Sequence, residues 1–161
     1  MGKSRGTKEA AVSETKDKPV IGWREWVALP ELGITHIKAK VDTGARTSAL
    51  HTFELETYHD KGAPMIRFKV HPRQGHQKPE VECHCQLLEQ RWVADSGGHR
   101  EERHVIVTEL QIGLHHWPIE MTLTNRDSMK FRMLLGRTGM AEHFLVDPQL
   151  SYQLGPKPKR R

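Results

Sequence analysis

Cysteine is nearly absent from this chain. Its 161 residues hold two, Cys83 and Cys85, which excludes a disulfide framework and makes a reducing, cytoplasmic setting the default. No run approaches the roughly 18 apolar residues that a membrane-spanning helix needs. The charged stretch from Met1 to Lys18 lacks the apolar core of a secretory leader. Aromatic residues make up 6% of the chain, and Trp23, Trp26, Trp92 and Trp117 are separated along it with only two tyrosines beside them, which favours core and rim packing over a platform for stacking bases. His-Glu-x-x-His, Gly-x-Ser-x-Gly and Gly-x-x-x-x-Gly-Lys-[Ser/Thr] are all missing. The signatures of helical zinc peptidases, α/β-hydrolases and P-loop nucleotide sites go with them.

What remains is a lean, basic, single-domain composition: 36% hydrophobic residues, a net charge of +5 and a sequence pI near 9.4. That balance suits an acidic partner. Part of the excess lies at the end, where Lys157, Lys159, Arg160 and Arg161 follow Gly155-Pro156. Such a run reads first as a solvated tail, with nucleic-acid or ribosome contact as the lesser reading. Residues 1–18 read as a disordered tail, 19–154 as the folded domain and 155–161 as the basic tail.

Period-two alternation and short spacers predict strands over Val20–Leu29, Thr35–Val41, Ser48–Tyr58, Met65–His71, Val81–Leu88, Arg91–Ala94, His104–Ile112 and Trp117–Thr124. Phe131–Leu135 reads as a further strand, Arg137–Phe144 as one short helix, and the surroundings of Tyr152 as a last strand. Many short strands with little helical periodicity predict an all-β fold, a closed or nearly closed barrel.

Two Asp-[Ser/Thr]-Gly tripeptides occur, Asp42-Thr43-Gly44 and Asp95-Ser96-Gly97. The tripeptide is weak by itself, arising by chance in roughly one chain of this length in fifteen. Asp42, however, closes the alternating strand Ile34–Val41, whereas Asp95 opens the polar run Gly98-His99-Arg100-Glu101-Glu102 and reads as a hairpin turn. Asp42 also has a distant companion, the apolar-apolar-Gly element Met133-Leu134-Leu135-Gly136-Arg137. A carboxylate on a tight turn, a neighbouring hydroxyl and a glycine permitting close backbone approach are the parts of an acid-peptidase half-site. One carboxylate does not complete it. Two must face each other and share a proton, so that one activates water while the other serves as acid. The two tripeptides are too close for two lobes in one chain, so a second Asp42 must come from a second subunit.

Three blocks in order, Val41–His51, Thr124–Met129 and Met133–Arg137, resemble the retropepsin-like family that includes RimB, many of whose members are labelled ATP-dependent zinc proteases. The resemblance runs from about Val20 to Leu154. It implies an acid-protease barrel, a homodimer, and catalysis by Asp42 with Thr43 and Gly44 and without a cofactor. It further implies a substrate whose glutamate tail was added to a ribosomal protein by a RimK-type ligase, with the ligase or the ribosome as possible partners. The sequence departs from retroviral enzymes at Arg46, where they carry a small or acidic residue. No glycine-rich hairpin plainly supplies a flap, since Gly62, Gly75 and Gly97-Gly98 compete.

Arg46, Arg103, Arg126 and Arg137 are the candidate substrate cations, because a guanidinium donates two parallel hydrogen bonds to a carboxylate. The opposing readings are a non-catalytic module that binds acidic tails or RNA, and a zinc metallopeptidase. For zinc the best cluster is Cys83-His84-Cys85. On a strand, though, it sends both thiols to one face with Val81 and Leu87 and His84 to the other, a core row rather than a ligand set, so no metal site is assigned.

Overall fold

In the computed structural model, residues 17–94, 97–125 and 130–155 are described. Asp95, Ser96, Arg126 and most of both tails lie outside them. Twelve strands follow in order: β1 Val20–Ile21, β2 Arg24–Leu29, β3 Ile34–Val41, β4 Ser48–His51, β5 Phe53–Asp60, β6 Ala63–Val70, β7 Val81–Gln86, β8 Glu89–Ala94, β9 Arg100–Ile112, β10 His115–Thr124, β11 Met133–Leu135 and β12 Leu145–Val146. The main sheet has the order β10-β4-β11-β3-β2-β9-β8, and β9 also pairs with β10. The order therefore returns on itself, but the β2–β9 link rests on one register pair, Ala28 opposite Gln111. The all-β expectation holds; the sheet is described by these pairings and not as a closed barrel. A three-stranded sheet β5-β6-β7 and the parallel pair β1–β12 complete the fold. No helix among the described residues is long and apolar enough to cross a membrane.

Alternation places the core. On β6, Ile66, Phe68 and Val70 are buried while Arg67 and Lys69 turn outward. Arg67 pairs with Glu56, and Lys69 Nζ lies 2.7 Å from Glu54 and 3.5 Å from Glu80. Cys83 lies opposite Phe68 and Cys85 opposite Ile66. Both thiols thus join the core row, and His84 is exposed, as alternation predicted.

Four features depart from the sequence reading. The strand expected over Ser48–Tyr58 divides at Thr52 into β4, in the main sheet, and β5, in the three-stranded sheet, and Thr52 N–H donates to the Thr124 carbonyl at 2.8 Å. The first strand breaks at Gly22, where a side chain would lie 2.0 Å from the Leu150 carbonyl oxygen. Trp23 N–H instead donates to that oxygen at 2.8 Å, docking the end of the domain. The short C-terminal helix is not found. Residues 137–139 form a single 3-10 turn that ends at Met140, where the backbone leaves helical geometry at φ −135 and ψ −17. Tyr152 is in a bend, not a strand. Its N–H donates to the Arg24 carbonyl at 2.9 Å.

Glu25, inside β2, is fully buried. Its carboxylate accepts from the backbone N–H groups of Gly22 at 2.8 Å, Gln153 at 2.8 Å and Leu154 at 3.1 Å. It is the anchor that fastens residues 153–154 to the sheet. Glu25→Ala leaves these donors without an acceptor, and roughly 3 kcal/mol of stability is lost. A fall in denaturant midpoint checks this, with Glu25→Gln intermediate because one carbonyl oxygen survives.

Candidate active site

The Asp42 turn is shaped by a strand that arrives from far along the chain. β11 lies between β3 and β4, parallel to β3 (Leu135 opposite Val41) and antiparallel to β4 (Leu134 opposite Ala49). The loop from Asp42 to Thr47 must therefore arch over the end of β11. Asp42 N–H donates to the Leu135 carbonyl at 2.9 Å, Arg137 N–H to Ala45 at 2.9 Å and Thr138 N–H to Arg46 at 3.0 Å. The Arg137 guanidinium adds a bond to the Thr43 carbonyl at 2.9 Å. From below, buried Ser48 accepts the Gly136 N–H on its hydroxyl oxygen at 3.0 Å, and the Thr122 hydroxyl donates to the Ser48 carbonyl at 3.0 Å.

Within the turn, the Gly44 N–H donates to Asp42 Oδ1 at 3.0 Å. One carboxylate oxygen is thereby oriented while the other is left available. Asp42 is half-buried, and Thr43, Gly44 and Arg46 are exposed. Leu135 and Gly136 are buried under the loop, and Leu134 is half-buried. The glycine is needed at 136, since a side chain there would meet the Thr47 carbonyl carbon at 2.6 Å.

The four arginines are divided by their surroundings. Arg46 and Arg137 stand at the loop, exposed. Arg103 is 9% exposed, with its Nε on Glu101 at 2.5 Å and a terminal nitrogen on the Thr122 hydroxyl at 3.3 Å. It braces β9 against β10 rather than standing open to solvent. Arg126 lies outside the described residues. The sequence reading missed Arg91, which donates to both Glu120 oxygens at 3.1 Å and also pairs with Glu89. These bonds hold the Glu120 carboxyl below the usual carboxylate range, with Arg46 adding to the effect at longer reach. Ser48 was also missed as a brace. Its role depends on β11 arriving beside it, which nothing local announces.

A cleft of about 250 Å³ opens beside Thr52, Glu54, Glu101, Glu102, His104 and Asn125. It lies at the far end of β4 from the Asp42 turn and contributes nothing to it. Among the described residues, no three His, Cys, Asp or Glu side chains converge on a metal-binding point. Burial pushes the thiols up from 9.0, Cys83 to about 12 and Cys85 to about 11, so neither serves as a nucleophile near neutral pH. Because these values lie above those of the unfolded chain, the neutral thiols' contribution to stability is complete below about pH 9. It is lost as pH rises through about 11 to 12. Alkylation of native protein at pH 8, followed by mass spectrometry, should be at least roughly 100-fold slower than in denaturant.

Residues 20–157 match the RimB-like family, described as retropepsin-like aspartic endopeptidase RimB. The chain belongs to this family. Among its relatives is a protein named probable alpha-L-glutamate ligase from Shewanella halifaxensis (strain HAW-EB4), 45% identical over 86% of this chain. Another of the same name, from Parasynechococcus marenigrum (strain WH8102), is 47% identical over 86% of the chain. In each case the matched region is only 30% of the relative's length. The crystal structure of Lpg0085 from Legionella pneumophila, a protein of unknown function, superposes with a TM-score of 0.71, covering 85% of this chain and 98% of that one. At 24% identity that likeness speaks to the fold alone.

Proposed function

We propose that this RimB-like chain is an aspartic peptidase that works as a homodimer and shortens glutamate tails on a protein substrate. The observation that carries the reading is the Asp42 turn. Its carboxylate is oriented by the Gly44 N–H at 3.0 Å and half-buried at an exposed loop tip, so a second copy can approach. In that assembly Thr43 bonds across to the facing loop, and the two Asp42 carboxylates share one proton. The anionic one takes a proton from a bound water as the water oxygen bonds the scissile carbonyl carbon. The neutral one protonates the carbonyl oxygen, and collapse of the tetrahedral intermediate delivers a proton to the leaving nitrogen as the C–N bond breaks. No covalent enzyme intermediate and no cofactor take part.

The substrate class draws on two supports. Relatives named probable alpha-L-glutamate ligase contain a region like this chain within a longer protein, which supports glutamate chemistry for the domain and a RimK-type ligase as partner. Exposed Arg46 and Arg137 flank the turn and suit carboxylate side chains. Arg103 belongs to the supporting wall, and cytoplasmic action follows from the same reading. Incubation of a glutamate-tailed protein and its untailed counterpart with the enzyme, read by mass spectrometry, tests the reading. The tailed protein should lose glutamate residues and the untailed one should stay intact; equal cleavage of both rejects the tail as the recognition element.

A further inference from the structure

The outer face of β2 and β3 gathers aromatic and cationic residues that are far apart in sequence. Arg24 lies opposite Lys40 and Trp26 opposite Lys38. The Arg24 guanidinium sits between two rings, 4.5 Å from the centre of Trp23 and 5.0 Å from that of Tyr152. Tyr152 stacks on Trp26 at 5.9 Å, and Lys38 Nζ lies 5.3 Å over the Trp26 ring. His36 meets Trp26 edge-on at 5.8 Å. Tyr152 is held at φ +53, a left-handed conformation that costs a tyrosine of order 1 kcal/mol. It keeps its ring under Arg24 at that cost.

On β6, β8 and β9 several cations are paired. Arg67, Lys69, Arg91 and Arg103 each pair with a carboxylate. Among the described residues, Arg24, Lys38 and Lys40 have no acidic partner; the one side-chain bond of Arg24 goes to the Ser151 hydroxyl at 3.2 Å. Glu25, their acidic neighbour in sequence, points inward and is buried. Stacked rings hold Arg24 and Lys38 in place, so little rotamer freedom is left to lose when an anion binds.

We propose that this face binds the phosphate backbone of a single-stranded polynucleotide, independently of sequence. The unpaired cations call for a polyanion. The half-buried rings favour a polynucleotide over an acidic peptide, because the ring surface they leave beside the cations can be covered by the flat faces of bases, which a glutamate tail does not have. The site is separate from the Asp42 turn and stands whether or not the peptidase reading does.

The test compares the full chain with Lys38→Glu/Lys40→Glu in binding to labelled oligouridylate, by anisotropy and tryptophan emission, between 50 and 200 mM salt. Lys40 is exposed and Lys38 half-buried on the outer face, so the variant should keep the wild-type melting profile; Lys38→Gln/Lys40→Gln replaces it if it does not. Wild type should bind with quenched emission. The variant should bind at least about tenfold more weakly, with a salt slope shallower by about one. Equal binding by wild type and variant, or absence of binding at low salt, overturns the proposal. So does poly-glutamate displacing the oligonucleotide at equal charge concentration, which would make the face an acidic-peptide site. Loss of self-association in the variant without any oligonucleotide binding would make it a contact between copies.

Discussion

Asp42→Asn yields a protein that melts like wild type and does not cleave. Asparagine preserves the side chain's shape, and its carbonyl oxygen still accepts the Gly44 N–H that Asp42 Oδ1 accepts at 3.0 Å. The bonds from Asp42 N–H to Leu135 and from Arg137 to Ala45 involve only backbone. Nothing that shapes the loop is removed. What is removed is the ability to ionise, and with it both roles in the shared-proton pair. Loss of acid–base action corresponds to roughly 10³-fold or more in rate, about 4 kcal/mol of transition-state stabilisation. Cleavage of the glutamate-tailed substrate, followed beside a thermal melt, checks both halves of the expectation. A variant that stays folded and active would reduce the turn to structure alone.

The same variant reports on the dimer. If each site takes one Asp42 from each copy, a heterodimer of wild type and variant holds a single carboxylate and is inactive. After equal mixing and exchange, roughly a quarter of the dimers are wild type on both sides, so activity per wild-type chain falls by about half. If each chain carries its own complete site, activity per wild-type chain is unchanged.

The sequence announces the parts of this fold that rest on local pattern. Alternation over Met65–Val70 and Val81–Cys85 assigns the core row correctly, including the inward thiols and outward His84. Asp42 at the end of an alternating strand, with an apolar-apolar-Gly element elsewhere, is legible as a turn needing a partner. What is not legible depends on contacts distant in sequence. Residues 137–144 read as a helix, yet the backbone leaves helical geometry at Met140, at φ −135 and ψ −17, so only one 3-10 turn forms and isolated turns follow it. The first strand breaks at Gly22 because the next N–H, of Trp23, is taken by the Leu150 carbonyl, which leaves no room for a side chain at 22. Arg103 reads as a free cation until Glu101 and Thr122 are seen beside it. The tryptophans appear scattered, although β2 and residue 152 bring Trp23, Trp26 and Tyr152 around Arg24. Ion pairing and ring stacking across strands have no period to betray them.

Gly136→Ala should damage the protein more than any comparable one-carbon addition in the site. Gly136 has φ −88 and ψ 173, which an alanine adopts without strain, so conformation is not the obstacle. Space is. The added carbon would lie 2.6 Å from the Thr47 carbonyl carbon, 2.8 Å from its oxygen and 2.9 Å from the Ser48 nitrogen. All three are backbone atoms, so no side-chain rotation or trimming relieves the overlap. Either β11 withdraws from β4, breaking the Gly136 N–H bond to the Ser48 hydroxyl, or the Asp42–Thr47 arch lifts away from Leu135 and Arg137. Both routes move the carboxylate. Overpacking of this kind costs roughly 3 kcal/mol or more, a fall in melting temperature on the order of 10 °C for a domain of this size. Activity measured well below the melting point should fall as well, because the arch that aims Asp42 and the contact that excludes the methyl group are the same structure. Gly44→Ala supplies the contrast. Its added carbon would meet only the Asp42 carboxylate oxygen, at 3.2 Å, a flexible side-chain atom. A single chain should therefore tolerate that change in stability, and only assembly of the facing loops should suffer.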